Sequence, residues 1–359
     1  MNRLFVICLL VWSARAADPL VYVGTYTDSG SQGIYAFRLQ SKTGKLAPLG
    51  LAAATSNPSF LLRSADHRFL YAVNENGNAR QMGSVSAYSL AGATGKLKLL
   101  NWVSSRGGAP CHLAFDRTAR WLAVANYEGG SVSVLPVHQD GTLGDAVYFA
   151  RTGSYAGSVA FSPDNRFLLA SDPGADRIYL YRFDASTGAL VIHNPAVAVK
   201  PGSGVRQLAF HPGGKVLYAV NQLSSTVTVF DFDSEAGRLK ERQTLTTLPG
   251  FSPDNQAAAL LLNSDASQLY VSNCGHDSIY TFTIDPRQLT LASQEDFPTL
   301  GRTPRHFAID PAGQYLIAAN QDTNNLVVLK VHARTGQLAV VGKLTEGIAK
   351  PACVLFVQP

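Results

Sequence analysis

The sequence repeats one strand pattern seven times, at intervals of about fifty residues. Each copy is an apolar run that ends at Asn or a substitute, and the copies begin at Val21, Leu70, Leu122, Leu168, Leu217, Leu269 and Leu316. A second alternating run and a tight turn follow each copy, as in GSVSAYSL with TGKL. A period of this length that contains only strand signals predicts repeated four-stranded sheets, because none of them can bury its faces alone. Seven such sheets arranged radially form an all-β, seven-bladed β-propeller.

The first copy lacks an innermost strand, because the chain enters the repeat at a second-strand run, at Val21. Residues 350–357 (KPACVLFV) resemble the innermost-strand starts of the other blades. We expect this last strand to complete the first blade, since closure of the ring removes the free sheet edges of an open array. Length alone suggests two or three domains, but the continuous repeat predicts a single domain over residues 18–359.

The first 17 residues have the features of a secretory signal peptide. Arg3 precedes an apolar run over residues 4–12, and residues 14–16 (ARA) form a small-x-small cleavage site. The run is too short to span a bilayer as a stable helix. The segment predicts a periplasmic or secreted protein that has no membrane association after cleavage; the alternative interpretation is a buried N-terminal strand.

Charge and cysteine content limit the possible partners. Removal of Arg3 and Arg15 with the leader lowers the formal net charge from +5 to +3, and the remaining Lys and Arg form no basic stripe, so nucleic-acid binding is not expected. The mature cysteines are Cys111, Cys274 and Cys353; their odd number and the absence of a CxxC motif suggest neither a disulfide framework nor a zinc site. The sequence predicts no metal and no cofactor, and we expect a monomer.

The topology predicts which residues surround the mouth of the central channel. In an antiparallel meander the first strand begins on the face where the second strand ends, so two rings of residues converge there. Alignment of the first-strand starts on the local Pro gives one ring of Phe60, His112, Gly157, Gln207, Ala259, His306 and Cys353, preceded by Ser59, Cys111, Ala156, Arg206, Ala258, Arg305 and Ala352. The second-strand ends contribute Asn74 with Glu75, Asn126, Asp172, Asn221 with Gln222, Asn273 with His276 nearby, and Asn320 with Gln321.

Charged or titratable residues stand out at ring positions that other blades fill with small or apolar residues. His112 and His306 are the candidate catalytic residues, because imidazole can activate water; buried structural histidines are the alternative. Arg206 and Arg305 are candidate substrate-binding residues, because a guanidinium group matches a carboxylate or phosphate. The other candidate substrate-binding residues are Glu75, Gln207, Gln222, Asn126 and Asn221.

The repeated Asn also has a structural explanation. Asn side chains satisfy the backbone of turns between strands, and seven equivalent turns would require the same residue. Asn126, Asn273 and Asn320 fit this explanation, so Asn126 keeps two interpretations, one structural and one as a ligand-binding residue.

Four segments, APCHLAFD, VANYEGGSVSVLP, SNCGHDSIYTF and TPRHFAIDPAGQYLIAANQ, closely resemble the 6-phosphogluconolactonase family of seven-bladed propeller lactonases, which also includes fungal carboxymuconate-lactonizing enzymes. The resemblance extends from about Val21 to Phe356. It implies a metal-free site at the channel mouth that acts on a sugar or dicarboxylate lactone.

The sequence departs from the family pattern in four places. The family motifs Pro-His-x-His, Gly-Pro-Arg-His, Asn-Glu-Leu and Ala-Glu-Ile-His are replaced by Tyr155-Ala156-Gly157, by residues 204–207 (GVRQ), by residues 221–223 (NQL) and by residues 258–261 (AALL). Pro110-Cys111-His112, Arg206, Arg305 and His306 remain.

Two hypotheses follow. The protein hydrolyses a small sugar or anionic lactone, with His306 or His112 activating water and Glu75 as a third candidate base. Alternatively, it is a catalytically silent propeller that binds a ligand or a protein at the same mouth. Export favours a lactone other than the cytosolic 6-phosphogluconolactone, or no lactone.

Overall fold

The computed structural model of the protein describes residues 17–358 except residue 79, residue 249, residues 251–253 and residues 342–344. The predicted signal peptide lies, apart from Ala17, outside the described residues. The described part contains 29 β-strands in seven sheets and one short 3₁₀ helix, Gly92–Thr94. No helix in this part is long and apolar enough to cross a membrane.

Each sheet is an antiparallel meander that runs outward from the channel. Blade 1 contains β1 (Leu20–Thr25), β2 (Gly33–Gln40) and β3 (Lys45–Ala54); blade 2 contains β4 (Leu61–Arg63), β5 (Phe69–Asn74), β6 (Ser84–Leu90) and β7 (Leu97–Ser104); blade 3 contains β8 (Pro110–Phe115), β9 (Trp121–Asn126), β10 (Ser131–Pro136) and β11 (Tyr148–Arg151); blade 4 contains β12 (Ser158–Phe161), β13 (Phe167–Asp172), β14 (Arg177–Phe183) and β15 (Leu190–Ala198). Blade 5 contains β16 (Val205–Phe210), β17 (Val216–Asn221), β18 (Thr226–Asp233) and β19 (Arg238–Thr246); blade 6 contains β20 (Gln256–Leu262), β21 (Gln268–Cys274), β22 (Ser278–Ile284) and β23 (Leu291–Pro298); blade 7 contains β24 (Pro304–Ile309), β25 (Tyr315–Asn320), β26 (Asn325–Val331), β27 (Leu338–Val340) and β28 (Thr345–Glu346), and β29 (Pro351–Val357) follows.

The ring closes through the last strand. β29 pairs with β1 in antiparallel register, with Leu20 opposite Val357 and Val23 opposite Val354. β29 is therefore the innermost strand of blade 1, which confirms the predicted seven-bladed propeller and its closure.

The core is divided among the seven junctions between neighbouring blades, and each junction holds one cluster of buried apolar side chains. The second strand of each blade is covered on both faces; every residue of β9, for example, is buried. This is why the repeated run is almost continuously apolar and not alternating. Because each sheet is covered only by its two neighbours, the blades depend on one another for burial.

The Tyr of the repeated Leu-Tyr pair links one blade to the next. The hydroxyl groups of Tyr71, Tyr218 and Tyr270 donate hydrogen bonds of 2.9, 2.9 and 3.0 Å to backbone carbonyl groups in the outer turns of the following blades. A buried phenol hydroxyl needs such a partner, so the repeat encodes blade-to-blade registration as well as burial.

Candidate active site at the mouth of the channel

A cavity of about 250 Å³ lies where the first strands begin and the second strands end, and all seven blades contribute to its wall. Its lining consists of Ser59, Phe60, Glu75, Cys111, His112, Tyr127, Gly157, Arg206, Gln207, Gln222, Ala258, Ala259, Arg305, His306 and Ala352. Residues up to 293 positions apart in the chain, Ser59 and Ala352, therefore border one space.

The structure brings seven of the nine predicted site residues to this cavity: His112, His306, Arg206, Arg305, Glu75, Gln207 and Gln222. The other two, Asn126 and Asn221, are buried behind the wall. The amide nitrogen of Asn126 donates to the Ser105 carbonyl oxygen at 3.1 Å, and that of Asn221 donates to the Thr226 hydroxyl at 2.9 Å. These contacts match the structural explanation of the repeated Asn.

The predicted alignment of blade 4 is wrong by one residue. Ser158 lies opposite Ser171 in the second strand, as His112 lies opposite Ala125 in blade 3. Ser158 therefore occupies the ring position assigned to Gly157, and Gly157 occupies the preceding position, where it lines the cavity. Blade 4, like blades 5 and 6, has no Pro at its first-strand start, so its register there is given by the strand pairing.

The side chains of the first ring accept hydrogen bonds from the innermost strand of the next blade. The Val159 amide donates to Nδ1 of His112 at 3.4 Å, and the Val354 amide donates to Nδ1 of His306 at 3.3 Å. The Leu208 amide donates to Ser158 Oγ at 3.2 Å, and the Leu260 amide to Gln207 Oε1 at 3.0 Å. The ring thus joins adjacent blades as well as bordering the cavity.

This contact determines the protonation of both histidines. An imidazole nitrogen that accepts a backbone N–H has no proton, so Nε2 of each neutral ring carries it. Burial, together with His306 and Arg206, lowers the pKa of His112 to about 3. Burial and Arg305 lower the pKa of His306 to about 4. Both rings are neutral near pH 7 and offer Nε2–H as a hydrogen-bond donor.

Phe60 packs against both imidazoles. Its ring centroid lies 4.4 Å from that of His112 and 5.9 Å from that of His306, in an edge-on arrangement with the latter. This apolar ring contributes to the desolvation of both histidines, which favours the neutral form of each.

Glu75 supplies a carboxylate to the cavity. Its Oε2 accepts a hydrogen bond from the Tyr26 hydroxyl at 2.8 Å and another from Ser59 Oγ, and its Oε1 lies 3.9 Å from a terminal nitrogen of Arg305. The Arg305 guanidinium also lies over the Tyr26 ring, 5.1 Å from its centroid. Burial raises the pKa of Tyr26, and the charge of Glu75 adds to this effect, so the phenol remains a donor. Glu75 is a fixed carboxylate with defined partners.

Arg206 faces an amide where Arg305 faces a carboxylate. Its Nη1 donates to Oε1 of Gln222 at 2.9 Å, and the Gln222 amide nitrogen in turn donates to Gln256 at 2.6 Å. Because Gln222 is neutral, the charge of Arg206 is left uncompensated by its partner. The cavity therefore has a cationic position suited to an anionic group.

Sequence reasoning missed four residues of the site, namely Tyr26, Ser59, Phe60 and Tyr127, as contributors to its chemistry. Tyr127 directly follows Asn126, as Glu75 follows Asn74 and Gln222 follows Asn221. The position after the repeated Asn is thus the sequence signal that identifies Tyr127. Among the described residues, no group of three or more His, Cys, Asp or Glu is arranged to hold a metal ion.

The comparison with known proteins agrees with this geometry. A family model described as "Lactonase, 7-bladed beta-propeller" matches residues 20–356. The chain belongs to this family. The match confirms the resemblance found in the sequence and covers all seven blades.

Several relatives of the lactonase family are similar over nearly their whole length. A 6-phosphogluconolactonase of Bacillus subtilis (strain 168) is 33% identical over 351 residues, which cover 94% of this chain and 98% of the relative. A 6-phosphogluconolactonase of Cronobacter sakazakii is 34% identical over 319 residues, covering 88% and 93%. The structure of a periplasmic gluconolactonase of Pseudomonas aeruginosa superposes with a TM-score of 0.88 at 34% identity, covering 95% of this chain and 99% of the other.

Proposed function

We propose that the protein hydrolyses a small lactone of a sugar acid in the cavity at the channel mouth. One observation carries the proposal: two arginines, one carboxylate and two neutral imidazoles from four blades border a single space of about 250 Å³ in a chain of the lactonase family. Such a cavity approaches the lower end of the usual range for small-molecule sites, in keeping with a substrate of about a dozen non-hydrogen atoms.

Glu75 acts as the general base in this mechanism. It accepts a proton from a water molecule as the water oxygen attacks the lactone carbonyl carbon, forming a tetrahedral intermediate. The ring C–O bond then breaks, and the proton passes to the leaving alkoxide, which gives a hydroxy acid. The hydroxyl groups of Tyr26 and Ser59 and the Arg305 side chain hold the carboxylate in place.

The two histidines serve as donors in this mechanism and not as bases. With Nδ1 of each ring occupied by a backbone amide, Nε2–H is directed away from the contact with the neighbouring blade. A fixed donor aimed at the developing oxyanion stabilises the transition state, and removal of one such donor costs about 10²–10³-fold in rate in a well-studied protease. In this mechanism His112 and His306 act as hydrogen-bond donors, in place of the general-base role that the sequence suggested for them.

Arg206 binds the anionic or polar end of the substrate. Its charge is not neutralised by Gln222, and a guanidinium group presents paired donors to a carboxylate. Gln207 is committed to the neighbouring blade through both ends of its amide, at 3.0 and 3.3 Å, so its role is to position the wall.

We further infer that the substrate is extracytoplasmic. The predicted signal peptide and the similarity to a periplasmic gluconolactonase support export to the periplasm or beyond. A non-phosphorylated aldonolactone fits this location better than a cytosolic sugar phosphate. The monomeric state and the absence of nucleic-acid and membrane partners stay predictions.

The test is hydrolysis of glucono-δ-lactone and of 6-phosphogluconolactone by the purified protein, followed by proton release above the spontaneous background. Replacement of Glu75 by Gln keeps the size of the side chain and removes the base, so the rate should fall by about 10²–10⁴-fold. Glu128→Gln, an exposed carboxylate two residues beyond Asn126, is the matched control and should retain the rate.

Two results would count against the mechanism. Turnover within threefold of wild type in Glu75→Gln would exclude Glu75 as the base. A wild-type protein that binds gluconate but hydrolyses neither lactone would favour the silent binding module. The sequence offers a reason for that outcome, because Gln222 and Ala259 stand where the family motifs Asn-Glu-Leu and Ala-Glu-Ile-His have Glu.

A further inference from the structure

Two tyrosines are stacked at one side of the cavity, and the mechanism above uses neither. The ring centroids of Tyr127 and Tyr155 are 4.6 Å apart with an angle of 20° between their planes. Tyr127 lines the cavity and Tyr155 does not. Tyr155 therefore covers one face of the Tyr127 ring, which leaves the other face and the ring edge to border the cavity.

The stack is supported from behind by a glycine. A Cβ atom built on Gly174 would lie 2.5 Å from Cδ2 of Tyr155, closer than real side chains approach one another. The backbone at Gly174 therefore lies directly against the Tyr155 ring. Tyr155 is held between this backbone and Tyr127, which fixes the plane of the cavity-lining ring.

The chemistry of the Tyr127 ring suits the C–H face of a sugar. The two rings of the pair contact each other through their faces. Burial raises the pKa of Tyr127, and the nearby charge of Arg206 opposes this effect without cancelling it. An aromatic face next to a guanidinium group matches a ligand that has an apolar C–H ring face and a carboxyl or carbonyl group at one end.

We propose that Tyr127 is a specificity-determining residue that stacks on the ring of a cyclic sugar acid or its lactone, and that Tyr155 positions it. The inference deepens the proposed function and rests on it in taking this cavity as the substrate site. It predicts preference for closed-ring ligands over open-chain acids that carry the same carboxylate and hydroxyl groups.

The experiment compares two probes that cannot be hydrolysed. D-glucuronate presents a closed pyranose ring with a carboxylate, and D-gluconate presents an open chain with a carboxylate; their dissociation constants are measured by calorimetry. Loss of the aromatic face in Tyr127→Ala should weaken glucuronate binding by about tenfold, from roughly 50 Å² of apolar contact, and gluconate binding by less than threefold.

Three variants serve as controls. Tyr127→Phe keeps the ring and should bind both probes as wild type does. Tyr155→Ala and Gly174→Ala should each weaken glucuronate binding by a smaller factor, about threefold, and change the near-ultraviolet circular dichroism of the tyrosines while the thermal transition remains cooperative.

Equal loss for both probes in Tyr127→Ala, no loss for either, or no binding of glucuronate to the wild-type protein would each overturn the stacking proposal. Failure of the proposed function is a separate result: lactones are not hydrolysed, whereas the difference between the two probes persists.

Discussion

The neutral state of His306 makes the stability of the fold depend on pH in a calculable way. In an unfolded chain a histidine has a pKa of about 6.5, whereas burial and Arg305 lower the pKa of His306 in the folded protein to about 4. Between these values the unfolded state binds more protons than the folded state. The free energy of unfolding therefore falls as the pH is lowered from about 6.5 to about 4, and this contribution is fully present above pH 6.5.

The size of the effect follows from the same two values. The difference corresponds to about 3 kcal/mol over the whole range, and about 2.5 kcal/mol is lost by pH 4.5. This is a large fraction of the 5–15 kcal/mol that stabilises a typical folded protein. His112, whose pKa is lowered to about 3, acts in the same direction.

A residue in another blade suggests the substitution that tests this pH dependence of stability. Gln207 occupies the equivalent ring position in blade 5 and accepts the backbone amide of the next blade through Oε1. His306→Gln should keep the bond from Val354 and remove the titrating group. Its stability at pH 7 should lie within about 1 kcal/mol of wild type, since one neutral hydrogen bond replaces another.

The assay is urea unfolding, followed by tryptophan fluorescence, at pH 7, 6, 5 and 4.5. Between pH 7 and 4.5, wild type should lose about 2.5 kcal/mol more stability than His306→Gln. His67→Gln, which replaces an exposed histidine, is the control and should follow wild type. Wild-type and His306→Gln curves that remain parallel over this range would refute the assignment of a neutral, backbone-bonded imidazole.

Three further predictions concern closure, packing and charge. Deletion of residues 350–359 removes three large buried side chains that each contribute roughly 1.5–3 kcal/mol; circular dichroism should show no cooperative thermal transition. Gly24→Ala places a Cβ 2.0 Å from a backbone oxygen of blade 2 and should lower Tm by several degrees, whereas Gly250→Ala, whose Cβ would have no atom of the described residues within 4 Å, should leave Tm unchanged. Gln222→Glu sets a carboxylate 2.9 Å from Arg206 and should weaken gluconate binding at least tenfold by calorimetry; unchanged affinity would contradict Arg206 as the anion site.

The fold could be predicted from the sequence because the repeat constrains it at every blade. The period gives the number of sheets, and the second-strand run at Val21 shows that a strand must come from elsewhere to complete blade 1. Propeller geometry then identifies the channel mouth without any three-dimensional data. Seven of nine predicted site residues reach the cavity for this reason.

The details of the site depend on contacts that a repeat does not encode. Blade 4 has no Pro at its first-strand start, and the pairing of Ser158 with Ser171 reveals its register. The backbone amides that occupy Nδ1 of His112 and His306 come from neighbouring blades, and they leave Nε2–H of each neutral imidazole as a hydrogen-bond donor. Asn126 and Asn221 carry amide groups that could bind a ligand, but these amides donate hydrogen bonds to a nearby backbone carbonyl and a nearby hydroxyl group instead.

The position of β29 has a consequence for how the protein is made. β29 follows every other strand in the chain, so it leaves the ribosome after them. Until then β1 presents a bare edge, Ala352 is missing from the cavity wall, and Val354 is not there to orient His306. The cavity wall is therefore complete only at the end of translation, and we expect a product that ends before β29 to lack the proposed activity.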